Sequence, residues 1–370
     1  IFKKAKNYKL DLPFYLSLFC ILFTNIFFYR LAEHGTDRSA QILFFLSLIL
    51  IIELIEIKKI SKTILETLII VFTLIITIKS FYILYSVLLF FIYFKFFKFS
   101  ELAEFCKNFK ILYFCFFTFL LMLFYNVSHS GCLLYPITIT CPDEFFWGLG
   151  KEKVSGYMSW YELWSKAGAT PTYRIENIEE YLSGLNWVPT WMDNYFFNKM
   201  SDYILGILLT IIIVLFIFKP KKISLKNFKK YLPIYLLLTI LFLEWFLQHP
   251  SLRYGGYVLV FLILTFPIAI ILLNQNFIYK QKKNSVIAIF LICIIIFAGR
   301  NINRLINEHE IYKYNLFKNP YYRVQDGFYY MQNKKLKSFK EKNECNINNS
   351  VTHIKCRKIG RYNFYYTTNE

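Results

Sequence analysis

About nine apolar segments, each close to the length that a helix needs to cross a lipid bilayer, recur along the chain. The hydrocarbon core of a bilayer is roughly 30 Å thick, and a helix covers it with about 17 to 25 apolar residues. A helix also satisfies its own backbone hydrogen bonds, which an open sheet in lipid cannot do. The sequence therefore predicts an all-α polytopic membrane protein with spans at residues 11–29, 40–57, 63–78, 81–97, 111–127, 202–218, 231–247, 257–273 and 285–299.

The composition agrees with this fold class. Of the 370 residues, 56% are hydrophobic and 21% are aromatic, which the surface of a water-soluble domain could hardly accommodate. The net charge of +19 would point to nucleic acid in a soluble protein, but here the lysines cluster between apolar segments. We therefore expect membrane lipid as a partner and no nucleic acid.

The short connections form two alternating sets that differ in Lys and Arg content. Such residues in short loops stay on the cytoplasmic side, so the alternation predicts a cytoplasmic N-terminus and an outer C-terminus. Only Lys79 and Ser80 separate the third and fourth spans, which form either a tight hairpin or one broken, partly re-entrant segment. The sparse set of connections, which is poor in Lys and Arg, holds Arg30, Arg38, Lys79 and Arg253.

This topology divides the chain into four parts. We predict five spans in residues 1–127, an outer aromatic loop in 128–201, four spans in 202–299, and a small outer domain in the tail, 300–370. Residue 1 is Ile rather than Met, which leaves two interpretations open: the sequence begins at its own start, or it begins within a longer protein in which one or more spans come before it.

Two cysteine pairs lie in the parts predicted to be outside. Cys132 and Cys141 belong to the loop, and Cys345 and Cys356 to the tail. An oxidising compartment would allow each pair to form a local disulfide. Neither pair has the spacing of a zinc site.

The outer loop carries an aromatic helix pattern that includes Trp160 and Trp164. One interpretation is that the helix lies in the headgroup layer and anchors the loop. The other is that its rings line a groove for a sugar or a polyprenyl chain, and the two interpretations are compatible.

Acids and cations follow the first visible span. Glu33, Asp37 and Arg38 lie close together in sequence, so a carboxylate here could serve as a general base or hold a divalent cation. The alternative is a solvated turn with internal salt bridges. Asp143 and Glu144 are the acids of the aromatic loop.

The connection after the seventh span gathers His249 and Arg253 around a Pro and a Gly pair. An arginine at the membrane edge can grip a pyrophosphate with two parallel hydrogen bonds. The alternative is that Arg253 extends to lipid headgroups.

Three sequence stretches carry a resemblance to a known class. They are Ser130 to Pro136, Trp160 to Ala169, and His249 to Tyr254. Together they resemble a set of bacterial membrane proteins related to the GT-C type of membrane glycosyltransferases. The resemblance implies an inner-membrane enzyme that transfers a sugar from a polyprenyl-phosphate donor at the periplasmic leaflet, with an outer carboxylate as catalytic acid. The chain has no Asp-x-Asp pair, so we rank Asp37 first, with Glu33 four residues before it in the same early outer loop, and then Asp143 and Glu144.

Two other functions remain open. A polysaccharide polymerase or ligase would share the topology but rely on Arg253 and His249 rather than on carboxylates. A transporter is the third hypothesis, although the sequence shows no internal repeat and little polar character at span centres.

Overall fold

The structure is a computed structural model that describes residues 11–29, 36–57, 61–97, 107, 110–169, 175–220, 224–275, 279–312, 354–359 and 362–367. For residues 279–282, 311–312, 354–359 and 362–367 only the backbone is described. The predicted site residue Glu33 and the cysteine Cys345 lie outside the described residues.

The described chain is built almost entirely of helices. A 3₁₀ helix, Ser80–Ser86, precedes α4, and a π-helix, Met192–Met200, joins α8 to α9. The α-helices are α1 Leu12–Phe27, α2 Asp37–Ile57, α3 Lys62–Ile78, α4 Val87–Phe96, α5 Ile111–Ser130, α6 Lys151–Lys166, α7 Ile178–Leu182, α8 Val188–Trp191, α9 Ser201–Phe218, α10 Phe228–Gln248, α11 Gly256–Leu273 and α12 Tyr279–Tyr312.

Six helices in the described part of the chain are long and apolar enough to cross a membrane. The chain is therefore a multi-pass membrane protein, and every predicted span coincides with a helical segment. The six are Asp37–Ile57, Ile111–Ser130, Val188–Phe218, Phe228–Gln248, Gly256–Leu273 and Lys283–Glu310.

The other three predicted spans coincide with helices that are shorter than any of these six. Helix α1 has 16 residues, α3 has 17, and the fourth is divided between the 3₁₀ helix and the ten residues of α4. Lys79 separates α3 from the 3₁₀ helix in an extended conformation, so the predicted break lies where the sequence placed it.

Two helices extend beyond the predicted spans. The helix that contains the span at 285–299 continues to Tyr312. The span at 202–218 is the last part of a helix that starts at Val188. In the tail, β1 Ile354–Ile359 pairs antiparallel with β2 Tyr362–Thr367, which departs from a strictly all-α chain.

Helix α11 lies at the centre of the bundle. It packs against α1, α2, α9 and α10. Of the six long apolar helices, α11 has the largest share of buried residues, 61%. An apolar helix without a polar face is typical of such a position. The short loop before α11 is therefore held against the core.

Polar contacts show which connections lie at the same end of the bundle. At one end, Lys230 and Tyr231 at the start of α10 bind Glu56 at the end of α2. At the opposite end, Asp37 at the start of α2 binds Arg253 in the connection after α10. Helices α2 and α10 are therefore antiparallel, and the connections predicted to be basic and sparse lie at opposite ends.

The aromatic loop has its own small core. Cys132 and Cys141 form a disulfide, and both are fully buried with Val154. This confirms the predicted pairing of the loop cysteines. Helix α6 packs on this core through its first half and reaches the bundle with its last residues, as Ser165 approaches His249.

Candidate functional site

The candidate site is built around Asp37 at the first turn of α2. Its carboxylate accepts a hydrogen bond from Nε of Arg253, and Nζ of Lys79 lies 2.6 Å from Oδ1. The side chain of Asp37 is 4% exposed, whereas those of Lys79 and Arg253 are 30% and 48% exposed. Two cations therefore neutralise one buried carboxylate, and both cations are partly exposed.

The pKa of Arg253 reflects this pairing. Partial burial acts to lower the pKa, but the hydrogen bond and charge of Asp37 outweigh it and raise the pKa above its ordinary value. Arg253 is therefore a permanent cation at this site. A guanidinium has five N–H donors, so its bond through Nε to Asp37 leaves further donors for a second anion.

Buried hydrogen bonds hold the connection from His249 to Gly255 in place. The indole of Trp191 donates to the carbonyl of Pro250 at 2.7 Å, and that of Trp245 donates to the carbonyl of Ser251 at 2.8 Å. The hydroxyl of Tyr195 accepts from the backbone N–H of Leu252 at 2.8 Å. This frame fixes the backbone that carries Arg253.

Helix α2 adds another contact to the same connection. Gln41 lies one helical turn after Asp37, and its Nε2 donates to the carbonyl of Arg253 at 2.9 Å. Residues four apart on a helix share a face, so Asp37 binds the arginine side chain while Gln41 binds its backbone.

His249 borders the site on the side of the aromatic loop. Its Nδ1 lies 3.5 Å from the hydroxyl of Ser165, and Lys166, which is 5% exposed, binds Glu162 at 2.5 Å. Burial lowers the pKa of His249, the charge of Glu162 raises it, and the charge of Lys166 lowers it; the net direction is down. His249 is therefore neutral at neutral pH.

Aromatic rings line the outer side. The ring of Trp164 meets that of Tyr254 edge-on at 6.4 Å, and Tyr254 lies 5.5 Å from the ring of His249. Trp160 stacks on Trp164 and is 52% exposed. The end of α6 thus extends an aromatic surface outward from the polar site.

The remaining predicted residues lie elsewhere. Arg38 lies over the ring of Phe28 at 5.6 Å. Asp143 accepts a hydrogen bond from the backbone N–H of Lys151 at 2.7 Å, so it caps the start of α6, and Glu144 is exposed. The start and end of a 16-residue helix are about 22 Å apart, so Asp143 is remote from Asp37.

Several residues of the site were not candidates from the sequence. Lys79 counted only toward topology, yet it binds Asp37 directly. The hydroxyls of Tyr82 and Tyr85 lie close to Gly255, where an added Cβ would approach them to 3.6 and 2.5 Å. The position of Lys79 between two apolar segments was a usable signal, whereas nothing in the sequence distinguished Tyr82 and Tyr85.

The site combines a carboxylate, two cations, a neutral imidazole and aromatic faces. The cations suit a phosphate, and the carboxylate and imidazole suit proton transfer. No group of three or more His, Cys, Asp or Glu residues that could hold a metal ion occurs among the residues that the structure describes.

A family model matches most of the chain. The family model of a domain of unknown function, DUF8201, matches residues 1–260, which include Asp37, Lys79, His249 and Arg253. No curated protein and no solved structure matches the chain.

Proposed function

The chain belongs to the DUF8201 family, and we propose that it is a membrane glycosyltransferase. It transfers a sugar from a polyprenyl-phosphate-linked donor to an envelope polysaccharide or glycolipid at the outer leaflet. The observation that carries the proposal is the buried carboxylate of Asp37 between two partly exposed cations, Lys79 and Arg253.

The cations account for recognition of the donor. A phosphodiester between a sugar and a polyprenyl chain carries one negative charge, and Arg253 keeps N–H donors beyond the one that binds Asp37. The exposed stack of Trp160 and Trp164 supplies an apolar surface beside these cations, suited to an isoprene chain or a sugar face.

Asp37 is the general base in this proposal. The acceptor hydroxyl gives its proton to Asp37 as its oxygen bonds to the anomeric carbon, and the bond from that carbon to the phosphate oxygen breaks.

This function requires a particular topology. We propose nine spans in this chain, with the N-terminus in the cytoplasm and the C-terminal domain in the periplasm of a bacterial inner membrane. Two findings support it: the sparse connections that hold Asp37, Lys79 and Arg253 meet at one end of the bundle, and a disulfide lies in the loop at that end. Disulfides persist in oxidising compartments such as the periplasm.

The test is a transfer assay with the full chain in lipid nanodiscs. A panel of polyprenyl-phosphate sugars is incubated with envelope glycolipid extracts, and released polyprenyl phosphate is measured by mass spectrometry. Asp37→Asn should lower release by about 100-fold, as expected for loss of a general base. Asp143→Asn is the matched control, because it removes a carboxylate charge at the far end of α6.

Unchanged release from both Asp37→Asn and Arg253→Gln would contradict the assignment. A specific observation keeps a polysaccharide ligase or polymerase as the second candidate: neutral His249 lies beside Ser165 at the same site. In that case His249→Gln and Arg253→Gln would abolish product, and Asp37→Asn would leave it at the level of the Asp143→Asn control.

A further inference from the structure

The chain from Ile111 to Pro142 contains no Asp, Glu, Lys or Arg. Helix α5 accounts for only part of this stretch, because it ends at Ser130. We call residues 131–149, which follow it and contain the Cys132 to Cys141 bond, the disulfide loop. Connections in water are normally rich in polar and charged residues, so an uncharged one directly after a membrane-spanning helix calls for a specific explanation.

The disulfide loop exposes aliphatic side chains. Ile139 is 84% exposed, Leu133 is 50% exposed and Ile137 is 41% exposed. The two cysteines, in contrast, are fully buried in the interior of the loop. Apolar side chains that are exposed together on one segment mark a surface for a partner or for a membrane.

Hydrogen bonds hold the disulfide loop against the last turns of α5. Nδ2 of Asn126 donates to the carbonyl of Leu133 at 3.2 Å. The indole of Trp147 donates to the carbonyl of Val127 at 2.9 Å. The loop therefore turns back alongside the helix from which it emerges.

Lipid surrounds much of that helix. In the part of the chain that the structure describes, only 11% of the apolar window of α5 is buried inside the protein, and Phe124 is 73% exposed. A helix of 20 residues rises about 30 Å, which matches the hydrocarbon thickness, so Ser130 lies at the boundary of the bilayer. The disulfide loop thus adjoins a surface that acyl chains already cover.

The backbone of the disulfide loop suits this position. An unpaired N–H is costly in the apolar part of a bilayer, so a segment that borders it must satisfy its own backbone groups. Thr140 contributes two acceptors: its carbonyl accepts from the N–H of Leu133, and its Oγ1 accepts from that of Leu134. The N–H groups of Cys132, Ile137, Thr140 and Cys141 also have partners in the loop or at Ser130.

We propose that the disulfide loop is a membrane anchor, which inserts Leu133, Ile137 and Ile139 among the acyl chains of the leaflet at the Asp37 end of the bundle. Its backbone lies in the headgroup layer, and only the aliphatic side chains reach the hydrocarbon. The partner of this surface is bilayer lipid, and the proposal does not depend on the transferase function.

Anchoring has a consequence for α6. The disulfide loop leads directly into this helix, whose other end meets the bundle where Ser165 approaches His249. A loop held in the leaflet would fix the start of α6 at the membrane surface. The exposed ring of Trp160 would then lie close to lipid.

The test measures contact with lipid directly. The full chain is placed in lipid nanodiscs with p-benzoylphenylalanine, which bonds to nearby C–H groups on illumination, in place of Ile139, Phe124 or Glu144. Mass spectrometry of the digested protein then records lipid adducts. Phe124 is the lipid-facing control, and Glu144 is an exposed, charged position of the same loop. The probe at Ile139 should give adducts within about twofold of Phe124 and at least about fivefold above Glu144.

A charge placed in the anchor should withdraw it from the leaflet. With the probe in place of Ile137, Ile139→Asp should reduce lipid adducts at least about fivefold, because a carboxylate resists transfer into hydrocarbon. Leu185→Asp is the matched control, since it adds the same charge at an aliphatic side chain that is 59% exposed outside the disulfide loop. We expect Leu185→Asp to leave the adducts at Ile137 unchanged. Ile139→Asp should keep the thermal midpoint in detergent within about 2 °C, as expected for an exposed position.

Three outcomes overturn the anchor. Lipid adducts at Ile139 as scarce as at Glu144 would place the disulfide loop in water. Covalent dimers from the probe at Ile139 without lipid adducts would identify an interface between two copies of the chain. Adducts at Ile137 that persist in Ile139→Asp would show that the aliphatic side chains do not hold the loop in the leaflet. If Ile139→Asp lowers the thermal midpoint further, the comparison of Ile139 with Phe124 and Glu144 decides alone.

Discussion

The carboxylate of Asp37 accepts a hydrogen bond from Arg253, and this contact joins the start of α2 to the connection after α10 across 216 residues of sequence. The two partners differ in exposure: the side chain of Asp37 is 4% exposed and that of Arg253 is 48% exposed. The acid is therefore buried in the bundle, whereas the arginine contacts the acid and is also half exposed at the surface.

This difference gives a prediction about stability. Asp37→Asn and Arg253→Gln should each lower the free energy of unfolding in mixed micelles by about 1–2 kcal/mol, less than for a fully buried pair because Arg253 is half exposed. The double variant should be at least about 0.5 kcal/mol more stable than the sum of the single effects predicts. Strict additivity would show that the pair contributes nothing.

The sequence predicted the helical layout well, because the length and apolar character of a span are local properties. The break at Lys79, the helix that carries Trp160 and Trp164, and the Cys132 to Cys141 disulfide are all found. Boundaries next to polar residues were less predictable: α12 continues past residue 300 although its later residues are largely polar, so hydropathy alone does not mark its end.

The partners within the site could not be read from the sequence. Arg38 follows Asp37 immediately, yet Asp37 binds Lys79 and Arg253, since successive helix residues point about 100° apart. Gln41, Tyr82 and Tyr85 look like ordinary residues of apolar segments. Only the packing of α2 and the 3₁₀ helix against the connection after α10 brings them together.

The lowered pKa of His249 predicts a loss of stability in acid. Burial places its pKa below the ordinary value of 6.5, so the unfolded chain binds this proton more tightly than the folded one. Stability is retained above pH 6.5 and declines as the pH falls through the lowered pKa. His249→Gln should therefore reduce the drop in thermal midpoint between about pH 7.5 and about pH 5.5.

The disulfide of the aromatic loop gives a prediction about alkylation. In the protein isolated from membranes, Cys132 and Cys141 should resist alkylation under denaturing conditions until a reductant is added. A Cys132→Ser and Cys141→Ser double variant should be less stable by about 2–3 kcal/mol, as expected for loss of a cross-link that closes a short loop. Immediate alkylation of both cysteines would contradict the disulfide and the proposed outer location of the loop.

The approach of Gly255 to Tyr85 separates a steric effect from a backbone effect. Gly255 and Gly184 both have positive φ, +101° and +58°, so alanine strains the backbone at either position. An added Cβ at Gly184 would meet nothing within 4 Å, whereas at Gly255 it would meet the Tyr85 hydroxyl at 2.5 Å. We expect Gly184→Ala to lower the unfolding free energy by about 1 kcal/mol and Gly255→Ala to lower it by more. A Gly255→Ala and Tyr85→Phe double variant should recover part of the difference, because it removes the atom that the new Cβ meets. Equal losses in the two single variants, or no recovery in the double variant, would show that the Tyr85 hydroxyl does not lie against Gly255.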